Sequence, residues 1–132
     1  TLMYTGAFYE TAMKVREILA KFNITLRVID VPSIKPFAVD AVKEAAKDAS
    51  MIVTLEDHNN IGGFGSAVCE TLTSLDIPEK VRVLRLGSGD KFGKCGKAAD
   101  VLARYGLDAK GVAKAIVAEK YPEFLDAIDA EF

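Results

Sequence analysis

Tryptophan is absent from this chain, histidine occurs once and cysteine twice. With one histidine, His58, and two lone cysteines, Cys69 and Cys95, separated by no C-x-x-C spacing, the sequence offers too few nitrogen and sulfur ligands for a zinc centre. No metal site is expected, and the two thiols read as free thiols of a cytoplasmic protein rather than a disulfide framework. Long apolar runs are missing too. None approaches the ~18 residues that crossing a bilayer requires, so no membrane partner is expected. Nor is there an excess of one charge. Seventeen Lys and Arg against nineteen Asp and Glu give a net charge of −2, without the basic patch that nucleic acid or an anionic membrane surface would demand. What is present is ordinary for a folded domain. Half of the 132 residues are hydrophobic and 27% are charged, which is one domain's length with enough apolar material for one substantial core. The chain opens at Thr1, inside an expected strand, so a longer parent polypeptide is expected.

Strand and helix patterns alternate along the sequence. Leu2 to Thr5 reads as a strand closed by Gly6. Phe8 to Phe22 has helical apolar spacing, with Asn23 as its stop. Leu26 to Val31 is a second strand, ended by Pro32, and Pro32 to Phe37 is a loop with two prolines. Val39 to Lys47 is a helix with Val39, Val42 and Ala46 on one side. Ala49 to Leu55 is a third strand whose apolar run does not alternate, as a strand covered on both faces requires. Gly65 to Ser74 is a helix carrying Val68, Leu72 and Leu75. Val81 to Leu86, interrupted by Arg82 and Arg85, suits a sheet edge. After a glycine-rich loop from Gly87 to Gly96, Ala98 to Tyr105 is a helix stopped by Gly106 with Leu107 behind it. Asp108 caps the next helix, which carries Val112, Ala115 and Ile116, and Pro122 opens a last helix with Leu125 and Ile128. The expected fold class is α/β: a three-layer α/β/α sandwich over residues 1–132, with a mainly parallel sheet of strand order 2-1-3-4 and helices on both faces. That order places Thr5-Gly6 and Glu56-Asp57-His58 on either side of the crevice where such sheets take ligands.

The stretch from Ile52 to Leu72 concentrates the candidate chemistry. A strand runs into Glu56 and Asp57, then His58, then Gly62, Gly63, Phe64, Gly65 and Ser66 at the start of a helix. Histidine beside two carboxylates is suited to proton transfer near neutral pH. Consecutive residues leaving a strand point in different directions, however, so at most two of the three share a pocket. A strand-end carboxylate also caps nearby backbone N–H groups. The glycine loop at a helix N-terminus can receive an anion, or it can serve only a tight turn with Phe64 packed beneath it. It lacks the Lys-Ser or Lys-Thr of a nucleotide phosphate loop, and Ser66 lacks the G-x-S-x-G setting of a nucleophile. Glu56, Asp57, His58, Gly62, Gly63, Gly65 and Ser66 are therefore the candidate ligand or interface residues, with no catalytic, cofactor-binding or metal residue assigned. In the later loop, Lys91, Lys94 and Lys97 surround glycines and Cys95, a setting that faces either solvent, a phosphate or a partner.

VTLEDHNNIGGFGSAVCETL resembles the corresponding segment of the C-terminal domain of transketolases. TGAFYETAMKVREIL is similar to that domain's first strand, turn and helix, RVIDVPSIKPF to its second strand and loop, and LRLGSGDKFGKCGKAADVLARYGLDAKGVAKAI to its closing segment. The resemblance runs in order to about Val117. One departure is Cys95, where the family pattern carries serine. His58, with Gly96-Lys97 through Tyr105-Gly106-Leu107, favours transketolase over the related deoxyxylulose-phosphate synthases and 2-oxo acid dehydrogenase beta subunits.

The resemblance implies the C-terminal section or subunit of a cytoplasmic transferase of pentose phosphate metabolism. Such an enzyme uses thiamine diphosphate and Mg2+ to move a two-carbon ketol unit between sugar phosphates. It implies homodimers, partner domains or an N-terminal subunit that include the pyrimidine-binding domain, and a cofactor held entirely by those other domains. No cofactor is expected on this chain, and the isolated domain is expected to be inactive. Its implied work is dimerisation and domain packing, with regulatory ligand binding as an alternative. A free-standing anion-binding module is the reading from another functional class.

Overall fold

The computed structural model describes residues 1–77 and 80–132. Four strands, β1 (Leu2–Tyr4), β2 (Val28–Asp30), β3 (Met51–Leu55) and β4 (Arg82–Leu86), form a sheet in the order β2-β1-β3-β4. Every pairing is parallel. Among the described residues six helices accompany them: α1 (Tyr9–Ala20), α2 (Val39–Ala46), α3 (Phe64–Ser74), α4 (Ala98–Arg104), α5 (Ala109–Lys120) and α6 (Leu125–Asp129), the last preceded by a 3-10 turn at Pro122–Phe124. The expected α/β/α layering, strand order and parallel sense are all observed.

Two cores sandwich the sheet because alternate strand residues face opposite ways. Leu2, Tyr4, Met51, Val53 and Leu55 pack with α1, α5 and α6, through Val15, Leu19, Val112, Ile116 and Ile128. Met3 and Ile52 face the other way, onto Val42 and Ala45 of α2 and Phe64 and Val68 of α3. All five residues of β3 are buried, which is why its apolar run does not alternate. Each such buried aliphatic side chain contributes about 1.5–3 kcal/mol. β4 is an edge strand, as is β2 at the other side, and the two arginines of β4 leave it on opposite faces. Arg82 pairs with Glu119 of α5, and Arg85 turns toward the α3 side.

The helix ends follow local chemistry. Asn23 takes a left-handed φ of 58°, and the Ile24 N–H reaches back to the Leu19 carbonyl at 3.1 Å. Gly106 does the same after α4 with φ 67°. The Leu107 N–H donates to the Leu102 carbonyl at 2.9 Å, and the Leu107 side chain is buried. This is the glycine stop with its hydrophobic contact. Asp108 caps α5 by accepting the Gly111 N–H at 2.9 Å.

One face assignment needs correction. Val39 is 40% exposed; the buried side of α2 is Val42 and Ala45, with Ala38, Ala41 and Ala46 packed against the same core. In α5 the buried stripe is Val112, Ala113, Ile116 and Val117. Ala115 lies beside that stripe and is only half-buried. The pairs at i, i+1, i+4 and i+5 make the stripe two residues wide, a pattern compatible with helical periodicity.

Candidate functional site

The alternation that divides the two cores also decides what the acidic stretch can do. Ile52 and Thr54 face α3, so Glu56, two residues on, faces α3 as well. Its backbone continues the ladder, with the Glu56 N–H donating to the Leu86 carbonyl at 3.1 Å. Its side chain is 1% exposed. Oε2 accepts the Phe64 N–H at 2.7 Å and Oε1 accepts the Gly65 N–H at 2.9 Å. The carboxylate therefore closes the first turn of α3 from outside the helix. It meets two otherwise orphan donors at the positive end of the helix dipole. Charge-assisted hydrogen bonds of this kind are about twice as strong as neutral ones.

Asp57 and His58 turn outward, and both are exposed. The His58 side chain is 67% exposed, with Nδ1 3.9 Å from Glu56 Oε2. That nitrogen lies 2.8 Å from the Asn59 carbonyl oxygen, to which its N–H tautomer donates. The three consecutive groups thus divide into one inward carboxylate and two solvent-facing side chains. The His58 main chain is used differently from its ring, since its carbonyl accepts the Ser88 N–H at 2.9 Å and ties this loop to the one after β4.

Two of the three glycines are required by space. A Cβ at Gly63 would lie 2.0 Å from Glu56 Oε2 and 2.4 Å from the Asn59 carbonyl oxygen. At Gly65 it would lie 2.6 Å from Thr54 Oγ1 and 2.9 Å from Arg85 Cγ. Gly63 has φ −92° and ψ −158°, a conformation open to other residues, so the absence of a side chain is what matters there. Gly62, with φ 74°, supplies the turn itself. Ser66 Oγ accepts the Gly62 N–H at 2.9 Å and donates to the Asn60 carbonyl at 3.3 Å. Phe64 is buried in the α2–α3 core, with its ring centroid 6.2 Å from that of Phe37.

Two contributors escape a reading of the sequence. Arg85 Nη1 donates to the Asn60 carbonyl at 2.9 Å and to Ser66 Oγ at 3.0 Å, bracing the loop from the edge strand. Gly87 lets the next loop pass close by, since a Cβ there would meet the His58 carbonyl oxygen at 2.5 Å. The signal available for Arg85 was its parity with Val83, which places it on the α3 side of the sheet. Its partners lie 25 and 19 residues away, and no local pattern names them. Thr54 Oγ1 is buried beside Gly65 with no hydrogen-bond partner among the described residues.

The structure thus brings Glu56, Gly62, Gly63, Gly65 and Ser66 into one knot at the carboxyl end of β3, beside the Thr5-Gly6 end of β1. Asp57 and His58 stand on its outer side. The N–H groups an external anion would need at the start of α3 are those that Glu56 occupies. The residues of this knot do not fit a diphosphate or Mg2+. The buried carboxylate Glu56 is engaged by the backbone at both oxygens, and among the described residues no three His, Cys, Asp or Glu side chains converge. A cavity of about 890 Å³ lies at the opposite rim of the sheet, lined in part by Ser50, Leu75 and Val81. No described helix is long and apolar enough to cross a membrane.

Comparison with known proteins agrees with this geometry. A family model described as the transketolase C-terminal domain matches residues 1–112. A protein of Methanocaldococcus jannaschii described as a transketolase C-terminal section is 37% identical over 123 residues, 93% of this chain and 37% of that protein. A 1-deoxy-D-xylulose-5-phosphate synthase of Syntrophotalea carbinolica is 36% identical over 111 residues, 84% of this chain and 17% of the synthase. Among solved structures, a split-gene transketolase, described as an inactive beta4 tetramer, superposes with a TM-score of 0.77 at 32% identity. That superposition covers 87% of this chain and 37% of the other. The chain therefore spans little more than a third of the first of these relatives and of the solved structure, and less of the synthase. The family model, the archaeal relative and the shared fold together place the chain in the transketolase C-terminal domain family.

Proposed function

We propose that this chain is the C-terminal domain or subunit of a cytoplasmic transketolase-type enzyme that transfers a two-carbon ketol unit between sugar phosphates. In this reading its residues do no chemistry. They pack against the preceding domains or an N-terminal subunit and support a dimer, with Asp57, His58 and the Gly62–Ser66 loop on the contact side. Thiamine diphosphate and Mg2+ belong to the complete enzyme and are held by its other domains.

The observation that carries the reading is the fate of Glu56. A carboxylate bound by two backbone N–H groups at 2.7 and 2.9 Å is fixed and shielded, whereas a general base must reach the proton it removes. The 36% identity to a deoxyxylulose-phosphate synthase favours a second reading. It keeps the domain's packing role but makes 1-deoxy-D-xylulose 5-phosphate formation the parent reaction.

Calorimetric titration of the isolated chain with thiamine diphosphate and Mg2+ should give no binding at micromolar concentrations and no ketol transfer. Addition of the amino-terminal part of the enzyme should then yield activity, and assays for the two products choose between the parent reactions. Micromolar cofactor affinity for the isolated chain would refute the packing role.

A further inference from the structure

Lys21, Arg27, Lys43, Arg82, Lys110 and Lys114 each pair with a carboxylate. The connection after β4 departs from that pattern. Lys91 and Lys94 from the loop and Arg104 from the last turn of α4 meet at one hollow of about 420 Å³, which they line with Phe92 and Tyr105. Among the described residues no carboxylate lines this hollow, and none of its three cations forms an ion pair elsewhere. Like charges brought together without a counter-charge leave a positive potential that an anion relieves.

The aromatic part of the lining is also placed with some precision. Phe92 is 100% exposed, and a single exposed apolar ring is ordinary surface. Its backbone, however, is tied down. The Phe92 carbonyl accepts the Tyr105 hydroxyl at 3.1 Å, and Tyr105 itself packs against the core under α1 and α5. A Cβ at the next residue, Gly93, would meet nothing within 4 Å, so the space there is open. A ring held in place with its face free is a stacking platform for a second planar ring. Guanidinium and ammonium groups hold phosphate oxygens, the first as a planar fork and the second as a point charge. The volume falls within the range of roughly 300–1,000 Å³ common to small-molecule sites.

We propose that this hollow binds a small phosphorylated molecule that carries a planar aromatic ring, such as a nucleoside diphosphate. The ring stacks on Phe92 and the phosphates lie among Lys91, Lys94 and Arg104. The site goes beyond the packing role proposed above and does not depend on it. A ring without phosphate leaves the three cations uncompensated, and inorganic phosphate leaves Phe92 uncovered. Full affinity therefore needs both halves in one ligand. Thiamine diphosphate is a poorer occupant, because its thiazolium ring brings a positive charge to a surface that already carries three.

The test is a titration of this chain with ADP, adenosine and inorganic pyrophosphate at low ionic strength, followed by amide chemical shifts. ADP should bind with a Kd of about 0.1–1 mM, and adenosine and pyrophosphate each about tenfold more weakly or worse. The shifts should move at residues 91–94 and 104–105, and the affinity should fall as salt is added. Phe92→Ser should weaken ADP by about fivefold or more and leave pyrophosphate unchanged. Lys94→Ala and Arg104→Ala should each weaken both by about threefold or more, and Lys14→Ala, at an exposed cation on α1, should change neither. Circular dichroism melting confirms that each variant is folded. No saturable binding of ADP to the unaltered chain overturns the proposal. Equal affinity for ADP and pyrophosphate, which is ion pairing without a ring site, also overturns it. So does undiminished ADP binding in both Phe92→Ser and Arg104→Ala, which places the ligand elsewhere. None of these results bears on assembly with the amino-terminal part of the enzyme, so the packing role stands or falls separately.

Discussion

The connections leaving β3 and β4 look alike in sequence and behave as opposites in the fold. Both leave adjacent strands at the same rim and both are rich in glycine. In the β3 connection two of the three glycines, Gly63 and Gly65, are packed, while Gly62 meets nothing within 4 Å. Gly63 and Gly65 have neighbours where a Cβ would stand, and both oxygens of a buried carboxylate bind the start of α3. In the β4 connection only the first glycine, Gly87, is packed in this way. Gly89 and Gly93 meet nothing within 4 Å, and Gly96 makes only an ordinary contact with Val101 at 3.4 Å. Residues 90–97 stand exposed. Glycine content alone therefore does not distinguish a structural knot from a presented surface. The difference is made by partners brought from elsewhere, here Glu56, Thr54 and Arg85.

Substitutions should break that contrast in a graded way. Gly63→Val carries the largest expected effect. Its side chain would have to displace the Glu56 carboxylate and the Asn59 carbonyl, at about 3 kcal/mol or more, seen as a lower denaturant midpoint or an insoluble product. Gly93→Val, in the open loop, should change stability by no more than about 0.5 kcal/mol. Equal losses at the two sites would dissolve the distinction drawn between the loops.

Glu56→Gln comes next. It preserves shape but removes the charge at the helix N-terminus and turns an NH2 group toward one of the two N–H donors. A loss of about 1–3 kcal/mol follows, with hydrogen exchange at Phe64 and Gly65 rising before that of the core. Exchange unchanged at those two amides would show that the carboxylate does not close the helix.

A smaller effect is expected away from either loop, where α6 is clamped onto α5. Hydrogen bonds from Lys114 and Lys110 hold the Asp129 carboxyl below the ordinary aspartate range. A carboxyl with a lowered folded value adds stability above the ordinary range and loses it as pH falls through the folded value. Asp129→Asn should lower the neutral-pH midpoint slightly and leave stability below the folded value unchanged, flattening that part of the acid unfolding curve by the same small amount, since the pair is solvent-exposed.

The sequence carried more of the scaffold than of the site. Asn23, Gly106-Leu107 and Asp108 act over three to five residues, so the helix ends they set are written locally. The unbroken apolar run of β3 marked a covered strand, and the arginines of β4 marked an edge. Val39 stands exposed although its spacing groups it with Val42, because local spacing does not fix where a short helix meets the sheet. In the candidate site, the step that turns Glu56 inward and His58 outward follows from two-residue alternation and was readable as a constraint. Arg85 was not readable as a brace, because the contact depends on parallel register between β3 and β4, which pairs Thr54 with Arg85 across 31 residues.

The central claim is that the stretch after β3 holds structure and presents a surface, and that its histidine performs no proton transfer. It is tested most directly by the turnover number of the assembled enzyme carrying His58→Ala at saturating substrate. The account predicts a value within about twofold of the unaltered enzyme, as for a solvent-facing ring with no part in the chemistry. A fall of about 100-fold or more, the scale of a lost general acid or base, with assembly and melting temperature intact, would contradict it.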